Sequence, residues 1–329
     1  MTGTRPRHDI SVDVLLGPGD LAEALRADVR RGLTAPHKEL PPKWFYDDRG
    51  CELFDQITRL VEYYPTERER TILRAEAPAI ARATGADTLI ELGSGTSDKT
   101  RVLLDAFRDE GTLSRFVPFD VNETTVRAAA AALVERYEGL RVHAVVGDFE
   151  RHLPSLPRGG RRLVAFLGST IGNFAPAERK RFLADLADSL DPGDFFLLGT
   201  DLVKDVGRLE AAYDDGAGVT AEFNRNVLRV VNRELGADFP LDDYAHVARF
   251  DPTEEWIEMC LRSSSDHVVR IAALDLAISV TAGEEIRTEI SAKFREDGIA
   301  GELDGAGFAV ERWMTDAAGD FALSLSRRT

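Results

Sequence analysis

Three short stretches of the chain carry the first chemical information. Glu91-Leu92-Gly93-Ser94-Gly95-Thr96-Ser97-Asp98-Lys99 lies between an apolar run and a helical pattern, where glycines let the backbone turn tightly against a bound molecule. In a dinucleotide-binding turn the third glycine would fall at Asp98, and a carboxylate at that helix entrance opposes a pyrophosphate. The loop therefore suits a ligand without phosphate. Asp120 closes the next apolar run, Val117-Pro118-Phe119, and a carboxylate there can accept both hydroxyls of a ribose. Asp148-Phe149 closes a third, offering an acceptor for an adenine amino group and a ring against the base. Singly, each has an ordinary explanation, a strand-to-helix turn at Gly93 and Gly95 and a helix cap or loop carboxylate at Asp120 and Asp148. In this order they point to S-adenosylmethionine. Lys99, otherwise a solvated helix lysine, is placed to reach the methionyl carboxylate.

Other reaction centres lack their parts. Cys51 and Cys260 have no C-x-x-C or Cys/His spacing, and His8, His37, His143, His152, His246 and His267 form no pair on one helix face, so no metal site is expected. Acidic residues outnumber basic ones 57 to 41 for a net charge of −16, the wrong sign for nucleic acid or an anionic membrane surface. The apolar stretch Val12 to Leu16 is interrupted by Asp13, and no run approaches the roughly 18 apolar residues of a membrane span. The expectation is a cytoplasmic monomer acting on a small molecule. Residues before Leu15 receive no assignment.

Placing the three signals at successive strand ends requires a parallel sheet covered by helices on both faces. Strand-like runs occur at Thr88 to Leu92, Phe116 to Phe119, Val142 to Val146, Leu163 to Leu167 and Phe195 to Leu198, with helical patterns after Lys99, Glu123 and Pro176. Near the end, a helical stretch around Ala292 to Leu303 precedes two runs, Phe308 to Trp313 and Phe321 to Leu325, joined by a turn-rich segment. A C-terminal antiparallel hairpin on such a sheet indicates a class I methyltransferase, Rossmann-like and mostly parallel, with seven strands.

The 329 residues exceed what one core usually organises, and the rest of the chain reads as a second, α+β domain for the substrate. Residues 1–67 form its N-terminal helical part and 205–291 its inserted part, while 68–204 and 292–329 make the core. In the first part a helix runs from Asp20 to Gly32 and another amphipathic run holds Leu53, Phe54, Ile57 and Leu60. Between them Pro41-Pro42-Lys43-Trp44-Phe45-Tyr46 reads as a buried loop anchor that its prolines keep from being helical. Thr66-Glu67-Arg68-Glu69 has capping-box spacing. In the insertion, long helical patterns reach through Tyr213 and Asn232, followed by strand-like pieces near Trp256 to Leu261 and Val268 to Ala272.

Taken together, Pro41 to Tyr46, Tyr63-Tyr64-Pro65-Thr66, Glu91 to Ser97, Phe166-Leu167-Gly168-Ser169-Thr170-Ile171-Gly172-Asn173 and Phe223-Asn224-Arg225-Asn226 closely resemble the L-histidine Nα-methyltransferases of ergothioneine biosynthesis, from about Leu21 to Leu325. The resemblance implies trimethylation of the histidine α-amine to hercynine, with S-adenosylmethionine as donor, S-adenosylhomocysteine as product and no metal. It assigns Tyr46, Gly93, Lys99, Asp120, Asp148 and Phe149 to the cofactor. It places Asn173 near the α-amino group, Tyr63 and Tyr213 at the carboxylate and Glu289 with Ser291 at the imidazole, and has Gly168, Phe54 and Met259 line the pocket. Asn173 and Tyr46 are thereby the candidates nearest the chemistry. The residues alone would make Tyr63 and Tyr213 partly buried tyrosines, Asn173 a loop residue and Glu289 an exposed helix carboxylate.

The implied reaction asks for positioning more than for a strong base. An α-amino group titrates near roughly 8, and a neighbouring sulfonium lowers that value. Alignment can contribute on the order of 7–11 kcal/mol, and the rings of Tyr46 and Phe54 facing the fixed cation about 0.5–2 kcal/mol. A nicotinamide-dependent oxidoreductase would share the sheet and the glycines but is opposed by Asp98, the hairpin and the missing hydride-transfer dyad. A cofactor-sensing protein would need no substrate constellation, and a paralogue methylating another amino acid would share the cofactor half.

Overall fold

In the computed structural model, which describes residues 10–329 except Thr96 and Asp98, the chain opens with strand β1 (Ile10–Val14) and helices α1 (Asp20–Leu33), α2 (Asp48–Ile57) and α3 (Pro65–Thr84). Alternation follows through β2 (Thr88–Leu92), α4 (Thr100–Asp109), β3 (Arg115–Asp120), α5 (Glu123–Arg136), β4 (Arg141–Val146), the short α6 (Phe149–His152), β5 (Arg162–Phe166), α7 (Pro176–Ser189) and β6 (Phe195–Asp201). Helices α8 (Val206–Tyr213) and α9 (Val219–Leu235) lead into β7 (Tyr244–Asp251), β8 (Trp256–Ser263), β9 (His267–Ile271), β10 (Leu276–Val280) and β11 (Glu285–Ala292). The chain closes with α10 (Glu296–Gly305), β12 (Phe308–Thr315) and β13 (Phe321–Arg328).

The large sheet has the order β1-β4-β3-β2-β5-β6-β13-β12. Strands β1 to β6 pair in parallel, and β13 pairs antiparallel with both β6 and β12. The expected seven strands are thus present and an eighth is added at the edge. Of that strand only Val12 is packed toward the interior, too weak a pattern to be legible as a strand. Side chains of the central strands alternate with a period of two. Leu89, Leu163 and Leu197 join the cluster under α3, α4 and α5, whereas Ile90, Val164 and Leu198 join the one under α7 and α10. A third cluster takes Leu25, Phe45 and Tyr64 from the N-terminal segment together with Leu209, Phe223, Val231, Met259 and Ile286.

Four local readings are corrected. Pro42–Phe45 forms a 3-10 turn, because proline at the first helical position lacks only an N–H that has no helical partner anyway. Helix α3 starts at Pro65, so Thr66 lies inside it, no side-chain cap bond forms and Glu69 is fully buried. Ala292 ends strand β11 and the following helix begins only at Glu296. Glu289, the helix carboxylate of the residue-level reading, lies on that same strand. The insertion also carries β7, β10 and β11 beyond the strand pieces read there, as a three-stranded sheet of order β11-β8-β7 and a β9-β10 hairpin.

Candidate active site

The first half of the site is built by strand ends. Gly93 and Gly95 adopt positive φ (68° and 47°), which lets the turn after β2 fold back toward β3. Gly93 donates its N–H to Phe119 O at 2.8 Å, and Gly95 donates to the Asp120 carboxylate at 2.9 Å. Asn122 N–H fills the other Asp120 oxygen at 3.1 Å, and burial nonetheless raises the Asp120 pKa. The Phe149 ring lies beside the same loop, since a Cβ added at Gly93 would come within 3.8 Å of it. Its back is fixed by an edge contact with Phe166, ring centroids 5.3 Å apart. Asp148 caps α6 by accepting from Glu150 N–H at 2.9 Å. Asp98, on which the argument against a pyrophosphate rested, lies outside the described residues.

Three buried atoms at this loop have no hydrogen-bond partner among the described residues. Glu91 accepts from Thr100 through one oxygen, while its other oxygen and the Ser94 and Ser97 hydroxyls are unpaired. Burial pushes the Glu91 carboxyl up to about 7. Orphaned polar groups behind a glycine turn fit a polar ligand such as the amino-acid part and ribose of S-adenosylmethionine. Lys99 is held by a carboxylate of the protein, in an ion pair with Glu69. Glu69 also accepts from Gly168 N–H at 2.7 Å, which ties α3 to the turn after β5. No residue pattern around Glu69 marks that role.

The second half is an aromatic pocket. Tyr46 and Phe54 meet edge to face at 5.6 Å, Phe54 and Tyr63 at 6.1 Å, and Tyr63 and Tyr213 at 6.3 Å, with Phe223 packed against Tyr46 at 5.5 Å. Burial and mutual repulsion with Glu289 push the hydroxyls of Tyr46, Tyr63 and Tyr213 well above the ordinary phenol range, so all three are neutral donors. Glu289 stands opposite Met259 across the β8–β11 pair. Loss of solvent raises its carboxyl to about 7, Lys293 acting in the opposite direction. Two positions on, Ser291 Oγ lies 2.7 Å from the Tyr213 hydroxyl. Tyr213, expected at a substrate carboxylate, and Ser291, expected at an imidazole, are therefore direct neighbours.

The two halves meet at the 3-10 turn Thr170–Asn173 after β5, which packs on β11. Gly172 permits this, because a Cβ there would lie 2.9 Å from Ala292 O. Asn173 and Gly168 are both half-buried on this segment.

Several positioning residues were not legible. Asn224 donates to Cys260 O at 3.0 Å and to His246 Nδ1 at 2.8 Å, and accepts from Thr288 at 2.6 Å. His246 Nε2–H then donates to Tyr213 O at 2.8 Å. Asn226 donates to Phe45 O at 3.1 Å and to Asp47 at 2.7 Å, just before and after Tyr46. The Phe223-Asn224-Arg225-Asn226 motif thus braces Tyr213, on the preceding helix, and Tyr46, far away in the sequence, neither of which its residues alone disclose. Lys293 and Asp201, paired at 3.1 Å, are buried behind Tyr213 and also carried no signal. Among the described residues no group of His, Cys, Asp and Glu is placed to hold a metal ion, and no helix is long and apolar enough to cross a membrane.

A mostly parallel sheet ending in an antiparallel pair, with a glycine turn and an acidic neighbour at its carboxyl edge, is the class I methyltransferase fold. The family model of histidine-specific, S-adenosylmethionine-dependent methyltransferases matches residues 25–328, and the chain belongs to that family. It is 60% identical over 319 residues to the histidine N-alpha-methyltransferase of Mycolicibacterium smegmatis, covering 97% of this chain and 99% of that one. The histidine N-alpha-methyltransferase of Mycobacterium tuberculosis is 59% identical over 305 residues, 93% of this chain and 95% of its own. Ergothioneine biosynthesis protein 1 of Schizosaccharomyces pombe is 32% identical over 253 residues, 73% of this chain but 31% of that longer protein.

Proposed function

We propose that the protein methylates the α-amino group of L-histidine three times, giving hercynine for ergothioneine formation. The observation that carries this reading is Glu289, a carboxylate for which no hydrogen-bond partner is found among the described residues, walled by aromatic rings and two positions before Ser291 on β11, whose hydroxyl pairs with that of Tyr213 at the end of α8. A neutral imidazole has one N–H and one bare nitrogen. The N–H suits Glu289 and the bare nitrogen suits a hydroxyl donor. The names of the mycobacterial relatives and of the yeast protein support the same substrate and pathway.

In this reading Asp120 takes the ribose hydroxyls, Asp148 and Phe149 the adenine, and the Gly93 turn with Lys99 the amino-acid part of the cofactor, while Tyr46 borders the reacting end. S-adenosylmethionine, when bound, supplies the electrophilic methyl group. Asn173 orients the α-amine from the turn that joins both halves, Tyr63, a neutral donor, holds the carboxylate, and Tyr213 acts together with Ser291, to which its hydroxyl is bonded. Phe54, Met259 and Gly168 shape the walls. The growing ammonium faces the rings of Tyr46 and Phe54, each cation–π contact contributing about 0.5–2 kcal/mol.

The test is mass spectrometry of the products after incubation with S-adenosylmethionine and a mixture of all common amino acids. Trimethylated histidine as the single major product is expected. Methylation of a different amino acid in preference to histidine would overturn the substrate assignment and make this chain a paralogue with another acceptor.

A further inference from the structure

Lys293 has a fully buried side chain and takes no part in the proposed contacts with substrate or cofactor. Its ammonium carries three hydrogens and meets three oxygens, Asp201 Oδ2 at 3.1 Å, the Tyr213 hydroxyl at 2.9 Å and Ser291 Oγ at 2.8 Å. Because an ammonium only donates, both hydroxyls must accept from it. Tyr213 and Ser291 are also 2.7 Å from each other, so one of their two protons lies between them. The remaining proton has no acceptor in the pair and is directed outward.

We infer that Lys293 is a positioning residue that fixes the Tyr213–Ser291 pair as a hydrogen-bond donor to the bound amino acid. With acceptor capacity occupied from behind, the pair presents a proton and selects a ligand that brings a lone pair. Glu289, a pure acceptor when ionised, makes the opposite demand from two positions before Ser291 on β11. The two demands together describe a neutral imidazole, whereas an apolar ring leaves both faces unpaired. Asp201 balances the lysine charge and is itself held by Lys204 and by the Tyr64 hydroxyl at 2.8 Å. Removing the lysine therefore leaves Asp201 with a second cation and a second donor, which keeps the fold testable.

This inference rests on histidine being the substrate, and the experiment separates the two claims. Steady-state kinetics with histidine are measured for the wild type, Lys293→Met and the charge-neutral double variant Asp201→Asn/Lys293→Met, with S-adenosylmethionine affinity followed by calorimetry. The expected result is a rise in KM for histidine of about tenfold or more, the effect of losing an aligned donor. In both variants kcat should stay within about threefold and cofactor affinity should be unchanged, a split that general damage to the fold would not produce. Wild-type turnover of histidine with an unchanged KM in both variants would overturn the role of Lys293 alone. A wild type that does not methylate histidine would overturn the substrate reading and this inference with it.

Discussion

Glu289 and Met259 face each other directly across the antiparallel β8–β11 pair, so a carboxylate and a thioether share one wall of the aromatic pocket. Directly opposed residues in such a pair project from the same face. The wall can thus distinguish a ring N–H from a ring C–H at one point while remaining apolar beside it.

Exchanging Glu289 for Ala removes the carboxylate that the proposed reading assigns to an imidazole N–H. A hydrogen bond to a charged group contributes about 1.5–3 kcal/mol, so kcat/KM for histidine should fall by roughly 10- to 150-fold. S-adenosylmethionine affinity should hardly move, since the proposed cofactor contacts other than Tyr46 lie at or just beyond the ends of β2, β3 and β4. A substrate panel with phenylalanine and leucine checks the point. Equal preference for histidine over phenylalanine in wild type and variant would remove Glu289 from the recognition site.

Asp120→Ala addresses the other half. Its carboxylate is engaged by Gly95 and Asn122 N–H groups, so it orders the glycine turn, and in the proposed role it also takes the ribose hydroxyls. Cofactor binding should weaken by about 1.5–3 kcal/mol, read as a calorimetric dissociation constant. An unaltered constant would leave Asp120 as a loop cap only.

The strands of the large sheet were legible because buried parallel strands leave dense apolar runs: Thr88 to Leu92 was read with the ends it has in the structure. The candidate cofactor residues Gly93, Lys99, Asp120, Asp148 and Phe149 are read from strand ends, and Tyr46 from the resemblance alone. What escaped were elements whose pattern is set by a neighbour. Strand β11 interleaves Ile286, Thr288 and Ile290 with Glu289 and Ser291, and a polar residue facing a pocket looks in sequence like one facing water. Glu69 and Lys293 escaped for the same reason: their charges are buried because partners distant in the chain, Lys99 and Asp201, compensate them. Resemblance to the family supplied Tyr63, Tyr213, Asn173 and Glu289, which composition and spacing alone assign to ordinary structural places.

Asn173→Ala should separate binding from alignment. The residue ends the turn that joins the cofactor strand ends to β11, and orientation at the reacting centre acts on the chemical step. The variant should keep its cofactor affinity while kcat falls, and mono- and dimethylhistidine should accumulate before the trimethylated product. Chromatography of a reaction time course resolves the three species. Wild-type rates with no build-up of intermediates would make Asn173 a structural residue.

Glu91 and the glycine turn give a prediction about pH and stability. Burial raises the Glu91 carboxyl from its ordinary 4.5 to about 7 in the folded chain. Between those two values the folded state binds a proton that the unfolded state has lost, so this group's contribution to stability declines as pH rises and levels off above about pH 7. A shift of this size corresponds to roughly 3 kcal/mol. Glutamine at position 91 cannot ionise and keeps an oxygen for Thr100. Comparing urea unfolding of the wild type and Glu91→Gln without cofactor cancels every other titrating group to first order. The variant should gain on the wild type from pH 4.5 upward, reaching an advantage of about 3 kcal/mol by pH 8, with most of the change completed by neutrality. A constant difference across that range would mean that Glu91 titrates normally, and that the glycine turn admits enough water in the free protein to solvate its unpaired oxygen.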